Sequence, residues 1–438
     1  MLLVVAAILG VPISVAAYFF LWLITHVQQW VYTSLPNALG FHGEPIWWPV
    51  LPLLLAGIVV GLTIRYLPGR GGHSPADGFK AEGGPPSHIE LPGVLIAAFA
   101  SIALGAVIGP EAPLIALGGG LAALALWLVK RDAPAQSVLV VGAAGSFAAI
   151  SFLLGNPLLG AIFLLEAMGL GGPTATLVLL PGLLAGGIGF LVFIGIDTLT
   201  GLGVSTLSIP DLPPFTKPDV AEFGWAIVIA VAAVILGSAI RWLGLFVRPY
   251  VERRLVLLTP LAGLTVAGLA IAYAESTGKS SSDVLFSGQT ALPGLIDHSA
   301  TYSVGALLLL MACKGLAYGT SLGSFRGGPT FPAMFIGAAG GIALSHLPGL
   351  PLVAGVAMGI GAMTVVMLRL PIVSVLLATL LLLSDGLAVM PLVIVAVVVA
   401  FVLSTWLQPW LTPAAASTGP THPGEASASP VPDTPASR

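Results

Sequence analysis

An all-α polytopic membrane protein, a diverged duplication built around paired broken helices, is the fold class this sequence predicts. Of 438 residues, 57% are hydrophobic and 8% charged, against roughly 45–50% apolar and 25% charged in soluble domains. The segment Gly109-Pro110-Glu111-Ala112-Pro113 recurs as Gly328-Pro329-Thr330-Phe331-Pro332, an offset of 219 from 109 to 328, and a glycine follows each last proline by five positions, at Gly118 and Gly337. A second pair agrees: Gly145 to Pro157 and Gly359 to Pro371 share spacing and apolar texture at an offset of 214, from 145 to 359. In a membrane protein, Gly/Pro-interrupted apolar segments at corresponding places in two halves point to a central binding site.

Apolar runs follow in order at 1–25, 47–64, 91–128, 136–168, 174–196, 222–246, 255–273, 303–318, 328–367 and 371–407. Several are long enough to cross about 30 Å of hydrocarbon at roughly 20 residues per crossing; others are too short or too broken. Broken segments are informative, because non-helical backbone at membrane depth survives only when buried in protein or lining a polar cavity. The first run lacks a basic start and a small-residue cleavage site, so it reads as a membrane helix and not as a removed signal. The two repeats are placed at 1–200 and 220–412, with an inter-repeat linker at 201–219 and a disordered, Pro/Ala/Ser-rich tail at 413–438. The expected location is the cell (inner) membrane, crossed many times, with lipid as the surrounding partner. A single cysteine, Cys313, excludes an intrachain disulfide framework and a cysteine-based metal cluster. No metal, cofactor or nucleic acid is expected, and the net charge of −3 points to no particular partner.

The chemistry centres on Glu111. Apolar sequence flanks it for more than ten residues on each side, and a carboxylate near the bilayer centre costs roughly 2.5–3.5 kcal/mol on insertion scales, which marks it as functional. Proline favours the first turn of a helix, so Pro113 predicts a helix that begins near Glu111 and runs towards Leu128. Its free N–H groups and positive dipole end favour an anion. A pole that stabilises a carboxylate also holds a chloride ion, which makes Glu111 a competitor of the permeating anion and hence a gate. The second copy carries Thr330 and Phe331 in place of Glu111 and Ala112, giving a similar pole without the acid. Two such poles form an anion site from dipoles, free of full positive charges that would hold the ion too tightly to leave. The loop Gly71-Gly72-His73-Ser74-Pro75 adds a third set of donors.

These motifs together resemble the CLC family of chloride channels and proton-coupled anion antiporters, along nearly the whole chain up to the tail. GGHSP at 71–75 is similar to the family's GSGIP, GPEAP at 109–113 to GREGP, and GGPTFP at 327–332 to GGxFxP. GNPLLGAIFLLEAM at 155–168 resembles NxPLxGxxFxxEE, and Lys314 falls where members often carry a basic residue. The resemblance implies an inverted repeat of tilted and broken helices, a homodimer with one pore per subunit, a transporter and not an enzyme, and a gating role for Glu111. The implied anion-binding positions are Gly72, His73, Ser74, Pro110, Glu111, Ala112, Thr330 and Phe331, with chloride as the leading cargo and fluoride or another anion exchanged for protons as the alternative. The chain also departs from the pattern. Gly72 stands where the first motif has serine, leaving Ser74 or His73 to substitute. Ala167 stands where antiporters carry the inner proton-transfer glutamate, and Pro329, which has no N–H, stands where members offer one. LSTWLQPWLTP holds only Trp406 and Trp410 where members have an anion-site tyrosine, and the methionine of fluoride exporters is missing from the first motif.

Plainer readings stand beside the sharp ones. Glu166 is either one half of an ion pair with Lys314 or Arg369, or part of a proton path. His73 is a loop residue or a pH sensor. The glycines at 118–120 and 337–341 are expected to pack helices, and Lys314 to snorkel or neutralise an acid. Gly319-Thr320-Ser321-Leu322-Gly323 fits GxSxG, with Asp385 and His346 as partners for an intramembrane serine hydrolase. That motif needs a strand-to-helix turn, which a transmembrane helix does not provide.

Overall fold

The computed structural model describes residues 2–78, 84–169, 172–200, 215, 217–382 and 386–411. The expected linker, apart from Phe215 and residues 217–219, lies outside the described residues, as do the expected tail and Asp385. Sixteen α-helices are described: α1 (Leu2–Gln29), α2 (Leu35–Ala38), α3 (Val50–Tyr66), α4 (Leu91–Ala103), α5 (Glu111–Val129), α6 (Ala135–Leu154), α7 (Pro157–Ala167), α8 (Gly172–Thr200), α9 (Val220–Arg253), α10 (Leu255–Thr277), α11 (Leu292–Asp297), α12 (Val304–Ser324), α13 (Thr330–Ser345), α14 (Leu352–Leu368), α15 (Pro371–Leu380) and α16 (Gly386–Leu411). Eight helical stretches are long and apolar enough to cross a membrane, and six shorter apolar helices of 10–17 residues accompany them. This is a multi-pass integral membrane protein.

The packing repeats with the sequence. Helix α1 packs on α6 and α8, and α9 packs on α14 and α16; α5 packs on α6 as α13 packs on α14; α7 packs on α8 as α15 packs on α16. Two contacts join counterpart to counterpart, α3 against α10 and α7 against α15. The glycines of the repeat make these approaches possible. A Cβ on Gly118 would lie 2.8 Å from the Gly145 carbonyl carbon, and one on Gly337 would lie 2.7 Å from that of Gly359. Both pairs are therefore backbone-to-backbone crossings, the use of small residues that membrane helices favour.

Burial sorts the helices into lipid-facing and central. Ile8, Leu55, Ile235 and Leu308 are each at least half exposed on the outside of the molecule, an apolar surface suited to acyl chains. By contrast, every residue of α14 after Leu352 is buried, as expected of a helix that is apolar on all sides. The half-helices start on sequence signals: Pro157 and Pro371 occupy first-turn positions, and the Asn156 side chain accepts the N–H groups of Leu158 and Leu159, both at 3.0 Å.

Candidate anion site

The two copies of the Gly-Pro motif meet. The Gly109 amide donates to the Gly328 carbonyl at 2.7 Å and the Gly328 amide donates back to the Gly109 carbonyl at 2.6 Å, an antiparallel bridge between residues that correspond under the repeat. The turns on either side exchange partners in the same reciprocal way. The Val107 amide donates to Ser321 Oγ on α12 at 3.2 Å, while the Arg326 amide donates to Ser101 Oγ on α4 at 3.1 Å. Each half thus finishes the other's broken segment, which satisfies backbone groups that lipid leaves unpaired. Ser321 is buried within a helix and already accepts an amide, so it is not a nucleophile at a strand-to-helix elbow, and the hydrolase reading falls.

From this bridge both half-helices begin. Glu111 is the first residue of α5 and is fully buried. Its Oε1 accepts the Phe331 amide at the start of α13, at 3.0 Å, and its Oε2 has no partner. The carboxylate capped by α13 therefore comes from the N-terminus of the other half-helix, and the acid spans both poles. Thr330 is fully buried and its Oγ1 also lacks a partner. Buried polar atoms are rarely left unpaired, and clusters of them mark functional places. Pro110 and Pro329 occupy the residues just before α5 and α13, and the Tyr318 hydroxyl donates to the Pro329 carbonyl at 2.6 Å.

A cavity of about 430 Å³ lies against this centre, lined in part by Gly72, His73, Ser74, Ala112, Pro113, Ser146, Arg326 and Pro329. The expected site residues fall into two groups. Gly72, His73, Ser74 and Ala112 line the cavity; Pro110, Glu111, Thr330 and Phe331 form the buried bridge beyond it. The first loop depends on glycine, since Gly71 and Gly72 have φ of 69° and 83° and a Cβ on Gly71 would lie 3.0 Å from that of Ala97. Ser74 is buried, with Oγ 3.4 Å from the Leu322 carbonyl, whereas His73 is exposed.

Beside the two poles, Arg326 lines the cavity and is only 8% exposed. Two expectations need correction. Lys314 does not snorkel: its buried ammonium donates to the carbonyls of Asp283, Val284, Leu285 and Phe286 at 2.9, 3.1, 2.9 and 3.4 Å, lies over the Phe335 ring, and attracts the Asp283 carboxylate without bonding to it. The Asp283 carboxylate accepts the Tyr273 and Tyr302 hydroxyls, and burial pushes its pKa up. Among the described residues Glu166 pairs with no cation. Its two oxygens accept the amides of Ile372 and Val373, at 3.0 and 2.8 Å, and so cap α15 from the C-terminal end of α7.

Sequence reasoning missed Arg326 and Tyr318. Arg326 had an available signal, an arginine two residues before the glycine of the second motif copy. Tyr318 had none, for its reach to Pro329 depends on how α12 folds back. The expected C-terminal region does not substitute for it, since Trp406 is 73% exposed.

Comparison with known proteins agrees with this geometry. The family model described as voltage gated chloride channel matches residues 56–405. YfeO of Salmonella schwarzengrund, an ion-transport protein candidate, is 28% identical over 368 residues, covering 83% of this chain and 85% of that protein. The crystal structure of a slow cyanobacterial Cl−/H+ antiporter superposes with a TM-score of 0.72 at 20% identity, covering 94% of this chain and 98% of the other. A CLC-type fluoride/proton antiporter superposes with a TM-score of 0.67 at 19% identity, covering 92% and 95%.

Proposed function

Since the chain belongs to the voltage-gated chloride channel (CLC) family, whose members are transporters and not enzymes, we propose that it passes chloride through each subunit of a homodimer in the cell's inner membrane. The amide of Phe331 donating to Glu111 Oε1 carries this reading. An N-terminal pole that faces the other half-helix holds a carboxylate, and an inorganic anion satisfies the same donors. Glu111 is the gate. Ionised, it occupies the α13 pole and closes the path beyond the cavity; protonated or displaced, it leaves the pole to the permeating ion. Gly72, His73, Ser74 and Ala112 form the approach, with Pro110, Thr330 and Phe331 around the gate itself. The division into repeats at 1–200 and 220–412 belongs to the same proposal. It is supported by the reciprocal exchange between Val107 and Ser321 and between Arg326 and Ser101.

The resemblance implies passive movement, because Ala167 stands at the place of the inner proton glutamate. Glu166 beside it is engaged with two backbone amides, an arrangement that suits a structural cap. The test is efflux from chloride-loaded proteoliposomes with external pH recorded, and with fluoride run in parallel. Chloride efflux that needs a potassium ionophore and moves no protons is the expected result. Proton uptake locked to anion exit would replace the passive pathway with exchange. Fluoride for proton exchange is the second reading, favoured by the likeness of the fold to a fluoride/proton antiporter; faster fluoride than chloride exit, locked to proton uptake, would establish it.

A further inference from the structure

Arg326 is a charge without an assigned role. It lies in the turn between α12 and α13, with its backbone fixed by Ser101, and its side chain is 8% exposed and lines the cavity beside Gly72 and Ser74. Nη1 donates to the carbonyl of Phe325 at 3.1 Å, but the buried Nε has no partner. The nearby carboxylates are already taken. Arg248 pairs with both Asp77 and Glu252, and Glu90, which also lines the cavity, accepts the Ser87 amide and hydroxyl. Among the described residues no carboxylate lies within ion-pair distance of Arg326. Glu252 and Asp77 attract Arg326 only from beyond ion-pair distance, offset by Arg248, so the buried guanidinium has no hydrogen-bonded counter-charge, and the cavity that it lines is open to one.

We propose that Arg326 is an anion ligand of the cavity, and that its planar guanidinium selects a small planar monovalent oxyanion, of the nitrate or formate kind, over a halide. This rests on the transport reading and refines its cargo. A guanidinium presents donors in a rigid plane that fit two coplanar oxygens at once, whereas a spherical halide uses such a fork poorly. Among the described residues no other arginine and no lysine lines the cavity, and under the 219-residue offset Arg326 corresponds to Val107, which is buried and apolar. The charge is therefore particular to the second half.

The test measures binding apart from transport. The full chain in detergent is titrated with sodium nitrate, formate, chloride and fluoride, and anion-dependent thermal stabilisation gives apparent affinities; proteoliposome flux is measured alongside. Nitrate and formate are expected to bind about tenfold more tightly than chloride, the scale of one added charge-assisted hydrogen bond. R326K, which keeps the charge and loses the planar fork, should remove that preference while still binding chloride, and R326Q should weaken every anion. If R326Q does not fold, R326K alone decides. Equal affinity for nitrate and chloride in the wild type, or an undiminished nitrate preference in R326K, overturns the proposal even if chloride flux is robust. Nitrate binding that depends on Arg326 in a protein that moves no anion would uphold the site and refute the transport reading.

Discussion

The two Gly-Pro turns share a backbone and differ in their charges. In the first, Val107 precedes the bridge glycine and Glu111 follows it; in the second, Arg326 precedes and Thr330 follows. Both turns donate to a serine on the opposite half, both pair through Gly109 and Gly328, and both open a helix. The duplication thus supplies a symmetric frame, and two side-chain exchanges give it polarity. An acid stands between the helix poles, and a base faces the cavity. A symmetric frame alone would hold an anion at two equivalent poles; the substitutions give one pole a tethered carboxylate, which can act as a gate, and leave the other to supply the donors.

Breaking the frame should have the largest effect. Gly337→Val places a side chain where the Gly359 backbone lies, and Gly118→Val does the same against Gly145. Overpacking costs about 1–3 kcal/mol and sometimes more. Both variants should lose the monodisperse peak on size-exclusion chromatography in detergent. A normal peak from either would mean that its helix pair separates freely, and that close crossing is dispensable in that half.

Next comes the donor that the second turn offers the first. Phe331→Pro removes the amide that donates to Glu111 Oε1 at 3.0 Å, at a first-turn position that tolerates proline. Hydrogen bonds to charged groups contribute about 1.5–3 kcal/mol; the closed gate should weaken accordingly and basal anion efflux should rise roughly tenfold. Phe331→Leu keeps the amide and serves as the control for the lost ring. Equal rates in the two variants would show that the amide does not hold the gate.

The smallest effects belong to the caps of α7 and α15, served by Asn156 and Glu166 respectively. Asn156→Ala and Glu166→Ala should each cost about 1 kcal/mol, seen as a lowered Tm. A Glu166→Ala protein with unchanged Tm but altered proton-linked flux would make Glu166 a proton carrier and end the parallel between the caps.

Much of this frame was legible from the chain because it is written locally. Glycine and proline dictate backbone shape, so the repeated motif, the helix starting at Glu111 and the packing glycines could be read from spacing. What the spacing could not give was which strands of the turn meet. The reciprocal exchange of Val107 and Arg326 amides with Ser321 and Ser101 joins residues more than two hundred apart, and no local pattern encodes it. Arg326 escaped for a related reason. It falls between the apolar runs at 303–318 and 328–367, where an arginine reads as an exposed loop residue, and only the folding of both halves over it makes it buried. Glu166 reads from the chain as an ion pair or a proton carrier, because carboxylates in apolar sequence usually find cations or move protons; the start of α15 offers amides instead.

The central claim is that the Glu111 carboxylate closes the path by occupying the α13 pole, and Glu111→Gln tests it most directly. Anion efflux from proteoliposomes should be measured for wild type and variant across a range of pH. The wild-type rate should rise as pH falls, and the Glu111→Gln rate should be high and independent of pH. A variant that retains the wild-type pH profile would contradict it.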